Sequence, residues 1–317
     1  MNSKVILIVS GEPNSIFLEI FFKSLKFKKY KCPIILISSI KLVKNYIHKF
    51  KIKKKINLIN YNEFDKIKIN NKSLNLININ LKSSKNIKHS NTFIKKSFDI
   101  ALSLIKKNNL KKLINGPIIK KKFLKSKYLG VTEYLSEKIN TKKYAMLIYN
   151  KNLSVCPLTT HVPLKHVPNY ITKKNIYEKI KLINSFYKQK RGFKPKIGIV
   201  GLNPHCESVD RFNEDEKIIK PAIKHLLKLG FKVSGPFAAD TIFLKKNRNK
   251  FDVILGMYHD QVLTPIKTLF EYDAINITLG LPFLRVSPDH GPNEKMIDKN
   301  ISNPLSLIRA IEFLDRN

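Results

Sequence analysis

The sequence of 317 residues has no tryptophan, only three cysteines and only 11 glycines. Three cysteines without CxxC spacing argue against a disulfide framework, so we expect a reducing compartment, the cytoplasm. The few glycines form no GxGxxG, Walker or GxSxG pattern, which leaves a Rossmann, P-loop or α/β-hydrolase site without support. No apolar run reaches the roughly 18 residues of a membrane span, so we expect no membrane partner.

Acidic residues are also scarce, with 23 Asp and Glu against 60 Lys and Arg, a formal net charge of +37. The lysines are spread along the chain beside abundant Asn and Ile, as AT-rich codons produce, and no aromatic residues alternate with them as on an RNA-binding sheet. We therefore expect no nucleic-acid partner, although the charge attracts anionic ligands. The competing interpretation is a basic nucleic-acid protein with structural histidines, which predicts steeply salt-dependent binding and no metal.

Apolar β-rich runs alternate with helical periodicity, and this alternation predicts an α/β fold with mostly parallel sheets. Val5–Ser10 is the first predicted strand, and Asn91–Asn108 is a clear amphipathic helix. The stretch from Leu279 to Asn293, rich in Gly and Pro, is predicted to be a long irregular loop.

Three histidines each follow an apolar run at the point where a buried strand would end. They are His161 after Leu153–Leu158, His205 after Lys196–Leu202, and His259 after Asp252–Gly256. Ligands of open α/β sheets collect beyond the carboxyl ends of the strands. Three imidazoles at one rim can hold a divalent metal and leave positions open for substrate. The pattern therefore favours a metal-dependent enzyme.

Other interpretations of these residues stay open. A single histidine at a strand end is more often structural, and the separations of the three match no local metal signature. His166 can take the place of His161. Cys206 is either a soft ligand or a small buried thiol.

A second polar group follows the last of these histidines. Lys267, Asn276 and Arg285, if they converge, can grip a phosphate or a carboxylate. Lys267 also fits a plain surface lysine, whereas Arg285 is more telling, because arginine is rare here and this one is flanked by apolar residues.

Six motifs taken together resemble the 4-hydroxythreonine-4-phosphate dehydrogenase family of pyridoxal phosphate biosynthesis. In chain order they are LTTHVPL, GLNPH, GPFAADT, MYHDQVLTPIK, INITLGLPFLR and DHG. The resemblance implies a two-domain fold like that of isocitrate and isopropylmalate dehydrogenases, with mostly parallel sheets and a deep interdomain cleft. The first α/β domain would comprise residues 1–125 and 280–317, and residues 126–279 would form the second, with the metal ligands and dimer contacts.

The resemblance also implies a site and a reaction. The metal, zinc, cobalt or magnesium, would be held by His161, His205 and His259, with some groups supplied by the partner in a homodimer. The implied substrate contacts are Thr132, Lys267, Asn276 and Arg285, and the implied NAD contacts are Asp289, His290 and Gly291. Asp240, Asp260 and Lys267 are candidate catalytic residues. The implied reaction is NAD-dependent oxidation and decarboxylation of 4-phosphooxy-L-threonine to 3-amino-2-oxopropyl phosphate.

The chain departs from the family pattern at several positions. Val131 replaces the histidine of the usual GHTE, the opening GDPAGIGPE becomes GEPNSIFLE, and DHGTA becomes DHGPN. The alternative function is therefore a related metal- and NAD-dependent dehydrogenase acting on a different hydroxy acid. An inactive relative is a further possibility, against which the intact histidines argue.

Overall fold

The computed structural model describes residues 4–316 except 125–127, 129 and 211. The chain divides into two compact units, Met1–Tyr134 with Pro282–Asn317 and Leu135–Leu281. The strands are β1 Ile6–Val9, β2 Ile34–Ser38, β3 Ile56–Leu58, β4 Leu74–Asn78, β5 Lys112–Asn115, β6 Ala145–Tyr149, β7 Ser154–Pro157, β8 Ile197–Val200, β9 Val233–Phe237, β10 Val253–Gly256, β11 Ile275–Leu279 and β12 Leu284–Pro288. The α-helices are α1 Phe17–Phe27, α2 Ile40–Lys49, α3 Ile87–Asn108, α4 Lys120–Phe123, α5 Val131–Lys138, α6 Lys173–Arg191, α7 Lys220–Lys228, α8 Ala239–Ile242, α9 Lys245–Arg248, α10 His259–Phe270 and α11 Leu305–Arg316.

The first unit is built on strands in the order β3-β4-β2-β1-β5-β12. Every described pair in this series is parallel. Parallel strands are covered on both faces and therefore consist of nearly continuous apolar runs, as β1 and β2 do. Helices α3 and α11 pack against β1, and α11 also packs against β12.

Helix α3 shows how local sequence sets an element of this unit. Its N-cap Asn86 accepts a hydrogen bond from the backbone N–H of His89, and its C-cap Asn109 adopts a left-handed conformation (φ 52°). The buried face includes Phe93, Ile94 and Phe98 at helical spacing. The predicted helix is confirmed, and it begins four residues earlier than its apolar periodicity indicated.

The second unit has strands in the order β11-β6-β7-β10-β8-β9. Strands β7, β10, β8 and β9 run parallel, whereas β6 is antiparallel to both of its neighbours. Helix α10 packs against β7 and β10, and α7 packs against β9. The α/β class with mostly parallel strands is confirmed. No helix in the described part of the chain is long and apolar enough to cross a membrane.

The prediction of one long irregular loop from Leu279 to Asn293 is wrong for the residues at its centre. Leu284–Pro288 forms β12, which lies parallel to β5 with Arg285 opposite Leu113. The flanking prolines and glycines hide this strand from local propensity, because its stability comes from pairing with a strand about 170 residues away in the sequence. This strand carries Arg285, which is buried.

Candidate functional site

The three candidate metal-binding histidines follow three neighbouring parallel strands. Strand β10 pairs with β7 on one side and with β8 on the other. His161 follows β7, His205 lies in a short 3₁₀ segment after β8, and His259 is the first residue of α10 after β10. The predicted strand ends are confirmed, so all three histidines come from one edge of this sheet.

Two of these histidines lie side by side. The ring centroids of His161 and His259 are 5.7 Å apart, with the ring planes inclined by 37°. Nδ1 of His259 lies 2.6 Å from Oδ1 of Asp260, so an Nδ1–H donates to the carboxylate and Nε2 is the ring nitrogen left for a ligand. Carboxylates orient metal-binding imidazoles in this way. The two rings are therefore suited to share a cation.

The structure does not bring His205 into the same group. Among the residues that the structure describes, no three His, Cys, Asp or Glu side chains form a group that could hold a metal ion. His205 is exposed and has a positive φ of 55°. The set of three histidines thus stays a prediction, and the single chain supplies one adjacent pair.

A buried aspartate fixes the loop that carries His205. Asp215, fully buried, accepts hydrogen bonds from the backbone N–H groups of Leu202 (2.9 Å) and Asn203 (3.1 Å). A Cβ on Gly201 would lie 2.5 Å from Oδ1 of Asp215, so only glycine fits beneath this carboxylate. Sequence reasoning missed Asp215, because its acceptor role depends on a loop 13 residues earlier.

Gln261 joins the ends of β8 and β10. Its Oε1 accepts from the backbone N–H of Met257 (2.7 Å), and its Nε2 donates to the carbonyl of Gly201 (2.8 Å). The side chain is 9% exposed, so both bonds are shielded from water. Gln261 therefore holds together the two segments that lead to His205 and His259.

The first unit contains a buried cation. Arg285 is 3% exposed, and its Nε donates to Oδ1 of Asn115 at 2.7 Å. Its Nη1 donates to Oγ1 of Thr132 at 3.3 Å. Burial lowers the pKa of Arg285 to about 10, and the nearby Glu133 carboxylate opposes this shift. Two of the predicted substrate contacts, Thr132 and Arg285, are thus brought together although they lie 153 residues apart.

A buried carboxyl follows β1 in the same unit. Glu12 is 4% exposed, and its backbone N–H donates to the carbonyl of Pro117 at 2.8 Å. Burial raises the pKa of its side chain, and the positive charge of Lys122 partly opposes the shift. Oε2 of Glu12 has no hydrogen-bond partner among the described residues. The local sequence Gly-Glu-Pro gave no indication that the Glu12 side chain is buried.

The remaining predicted substrate and catalytic residues belong to the second unit. Lys267 is exposed on α10, Asn276 is half-buried in β11, and Asp240 is exposed on α8. Cys206 is a buried free thiol, and burial raises its pKa, which disfavours the thiolate that metals bind. This environment suits the interpretation of Cys206 as a small buried thiol.

The predicted NAD contacts follow β12 in the first unit. The backbone N–H of Asp289 donates to Oγ of Ser306 at 2.8 Å, which anchors the segment to α11. Nδ1 of His290 lies 2.9 Å from the carbonyl oxygen of Gly291, so the imidazole is oriented locally. Asp289 and His290 are half-buried.

The fold and these side chains define an α/β protein. One unit contains a buried arginine, and the other has two adjacent imidazoles that follow the ends of parallel strands. The family model described as "Pyridoxal phosphate biosynthetic protein PdxA" matches residues 30–314. The chain belongs to this family, which confirms the family resemblance seen in the six motifs.

Known relatives agree with this assignment. The 4-hydroxythreonine-4-phosphate dehydrogenase of Sulfurihydrogenibium sp. is 48% identical over 206 residues, which are 63% of this chain and 63% of the relative. A candidate D-threonate 4-phosphate dehydrogenase of Oceanobacillus iheyensis is 36% identical over 217 residues, 67% of this chain and 65% of the relative. The chain thus matches less than two thirds of the length of either protein.

A solved structure extends the likeness to nearly the whole chain. The crystal structure of 4-hydroxythreonine-4-phosphate dehydrogenase from Klebsiella pneumoniae superposes with a TM-score of 0.80 and 25% sequence identity, covering 98% of each chain. The fold of that enzyme is therefore shared across both units.

Proposed function

We propose that the chain is an NAD-dependent dehydrogenase that oxidises and decarboxylates 4-phosphooxy-L-threonine to 3-amino-2-oxopropyl phosphate in pyridoxine 5'-phosphate biosynthesis. Membership of the PdxA family supports the pathway, and the name of the Sulfurihydrogenibium relative supports the substrate. The single observation that carries the proposal is the buried Arg285 beside Thr132, a preformed binding group for an anion.

The buried guanidinium explains why an anionic substrate would bind. A phosphate or carboxylate can accept two parallel hydrogen bonds from a guanidinium, and its negative charge helps to offset the cost of burying the cation. Arg285 and Thr132 would hold one end of the substrate. Lys267 and Asn276 are the other proposed substrate contacts.

A divalent metal is part of the proposal. His161 and His259 fit it, since their rings are adjacent and Asp260 leaves Nε2 of His259 available as a ligand. His205 is the third proposed ligand, with further groups supplied by a second copy of the chain in a homodimer. Imidazole ligands suit zinc or cobalt better than magnesium. When bound, such an ion would polarise the substrate hydroxyl and stabilise negative charge formed on decarboxylation.

NAD is the proposed hydride acceptor. Asp289, His290 and Gly291 are its proposed contacts, and the half-buried, anchored Asp289 suits a ligand with hydroxyl donors such as a ribose. Asp240 and Asp260 are proposed to orient ligands or relay a proton. Lys267 is the third proposed catalytic residue. We place the enzyme in the cytoplasm.

A second candidate is oxidation of a different phosphorylated hydroxy acid. Val131, the first residue of α5, lies next to Thr132 and presents an apolar side chain where the family usually has an imidazole. The relative from Oceanobacillus iheyensis is named for D-threonate 4-phosphate, which carries a hydroxyl in place of the amino group. The lost hydrogen-bonding group at position 131 is the feature that favours this alternative.

The test is NADH production by the purified chain with 4-phosphooxy-L-threonine, D-threonate 4-phosphate and unphosphorylated 4-hydroxythreonine, before and after chelation. We expect turnover of the first substrate, loss of turnover on chelation, and recovery with zinc or cobalt. Preference for D-threonate 4-phosphate would establish the alternative. Turnover of none, together with salt-dependent binding of duplex DNA, would overturn both dehydrogenase proposals. Arg285→Ala is the inactive reference variant, and His225→Ala, exposed on α7, is the matched control.

A further inference from the structure

We propose that Asn115 is a positioning residue that fixes the guanidinium of Arg285 and, because it is a neutral amide, adds no negative charge that would compete with the substrate's anionic group. This inference rests on the proposed function in one respect, that Arg285 binds that group.

The strand register places Asn115 where it can act on Arg285. Arg285 in β12 lies opposite Leu113 in the parallel strand β5. Side chains two residues apart on a strand point to the same face, so Asn115 lies one step further along that face. Both residues are buried, Asn115 at 1% exposure and Arg285 at 3%. The bond of 2.7 Å between Oδ1 and Nε is therefore shielded from water.

The amide of Asn115 is held in one orientation. Its Nδ2 donates to the carbonyl oxygen of Gly116 at 2.8 Å, so Oδ1 is turned toward Arg285. The backbone at Gly116 is closely packed, since a Cβ there would lie 2.2 Å from the carbonyl oxygen of Ser10 and 2.8 Å from the Phe17 ring. The acceptor for Nε is thus held by a hydrogen bond within a closely packed segment, and its position orients the guanidinium.

The neutrality of Asn115 matters as much as its geometry. A carboxylate at this position would form a charge-assisted pair with the guanidinium and weaken its attraction for the substrate's anionic group. The amide oxygen accepts the same bond without a charge, as does the hydroxyl of Thr132 on Nη1. Glu133 is the acidic group that acts electrostatically on Arg285. The position therefore selects Asn over Asp to preserve affinity for an anion.

The test compares Asn115→Asp with Asn115→Ala in the full chain. The control is Asn78→Asp, which adds the same charge at an exposed position of the first unit where Oδ1 accepts from Ile40. The readouts are the Kd for inorganic phosphate by calorimetry, KM and kcat for 4-phosphooxy-L-threonine, and Tm as a check of folding. A purely structural role would lower Tm without a selective effect on phosphate.

We expect Asn115→Asp to raise the Kd for phosphate and the KM by on the order of 100-fold, and Asn115→Ala by about tenfold. The control is expected to match the wild type. Wild-type values of Kd and KM in Asn115→Asp would overturn the inference, and if that variant fails to fold, wild-type values in Asn115→Ala would do so. A wild-type chain that binds phosphate in an Asn115-dependent way but oxidises none of the substrates overturns the proposed function and leaves this inference standing.

Discussion

The imidazole rings of His161 and His259 lie with their centroids 5.7 Å apart, although the residues are separated by almost a hundred positions in the sequence. Strands β7 and β10 are neighbours, and each histidine follows the carboxyl end of its strand. The Asp260 carboxylate fixes Nδ1 of His259. This pair is the part of the proposed metal site that one chain supplies by itself.

Removal of either ring is expected to weaken metal binding strongly. His161→Ala and His259→Ala each remove one nitrogen ligand, and we expect the affinity for zinc or cobalt to fall by at least about 100-fold. Calorimetric titration of metal-free protein measures this. His225→Ala is the control, and unchanged zinc affinity in both site variants would contradict the proposed ligand roles.

Asp260→Asn is expected to weaken metal binding without removing it. The neutral amide oxygen is a weaker acceptor for the Nδ1–H than the carboxylate, so His259 becomes a poorer and less oriented ligand, and affinity is expected to fall about 10- to 100-fold. Glu271→Gln, exposed just after α10, removes the same charge away from the ring. Equal zinc affinities in the two variants would show that Asp260 acts only through its charge.

Gln261→Ala is expected to destabilise the second unit. It leaves the buried N–H of Met257 and the buried carbonyl of Gly201 without their partners, at a total cost of about 2 to 4 kcal/mol. Urea unfolding measures the change in free energy, with the exposed Gln189→Ala on α6 as control. A Gln261→Ala chain as stable as the control would show that the two strand ends do not depend on this side chain.

Glu12→Gln is expected to stabilise the protein at neutral pH. The folded-state pKa of Glu12 is raised above 4.5 by burial, so as pH rises the unfolded chain loses this proton first and the folded state is disfavoured. This cost is complete above the folded pKa and absent below pH 4.5. Tm of the variant should exceed that of the wild type at pH 7, and the gap should close in acid.

The exposed Glu63→Gln is the control for the pH experiment. If the difference in Tm between Glu12→Gln and the wild type is the same at pH 7 and in acid, ionisation of Glu12 is not its cause.

Sequence patterns were informative where a residue's role depends on its neighbours in the chain. The runs before His161, His205 and His259 are continuous and apolar, so their strands and the polar turns after them are predictable. The helix containing Phe93 and Phe98 was predictable for the same reason. Strand β12 was not, because proline and glycine surround it and its partner β5 is distant in the sequence.

The residues that support the site could not be singled out from the sequence. Asn115, Asp215 and Gln261 look no different in the sequence from its many other polar residues. Each becomes distinctive only through a buried bond to a backbone group or to a side chain on another element.

The sequence by itself determined the α/β class, the family and the position of three histidines just after strands. Periodicity is a local property of the sequence, and the order of motifs is read directly along it. Only the tertiary structure decided that Arg285 is buried against Thr132 and Asn115, and that the rings of His161 and His259 are neighbours. The physical reason is that burial and hydrogen bonding depend on which strands are neighbours in the sheet. That order is set by packing over the whole chain.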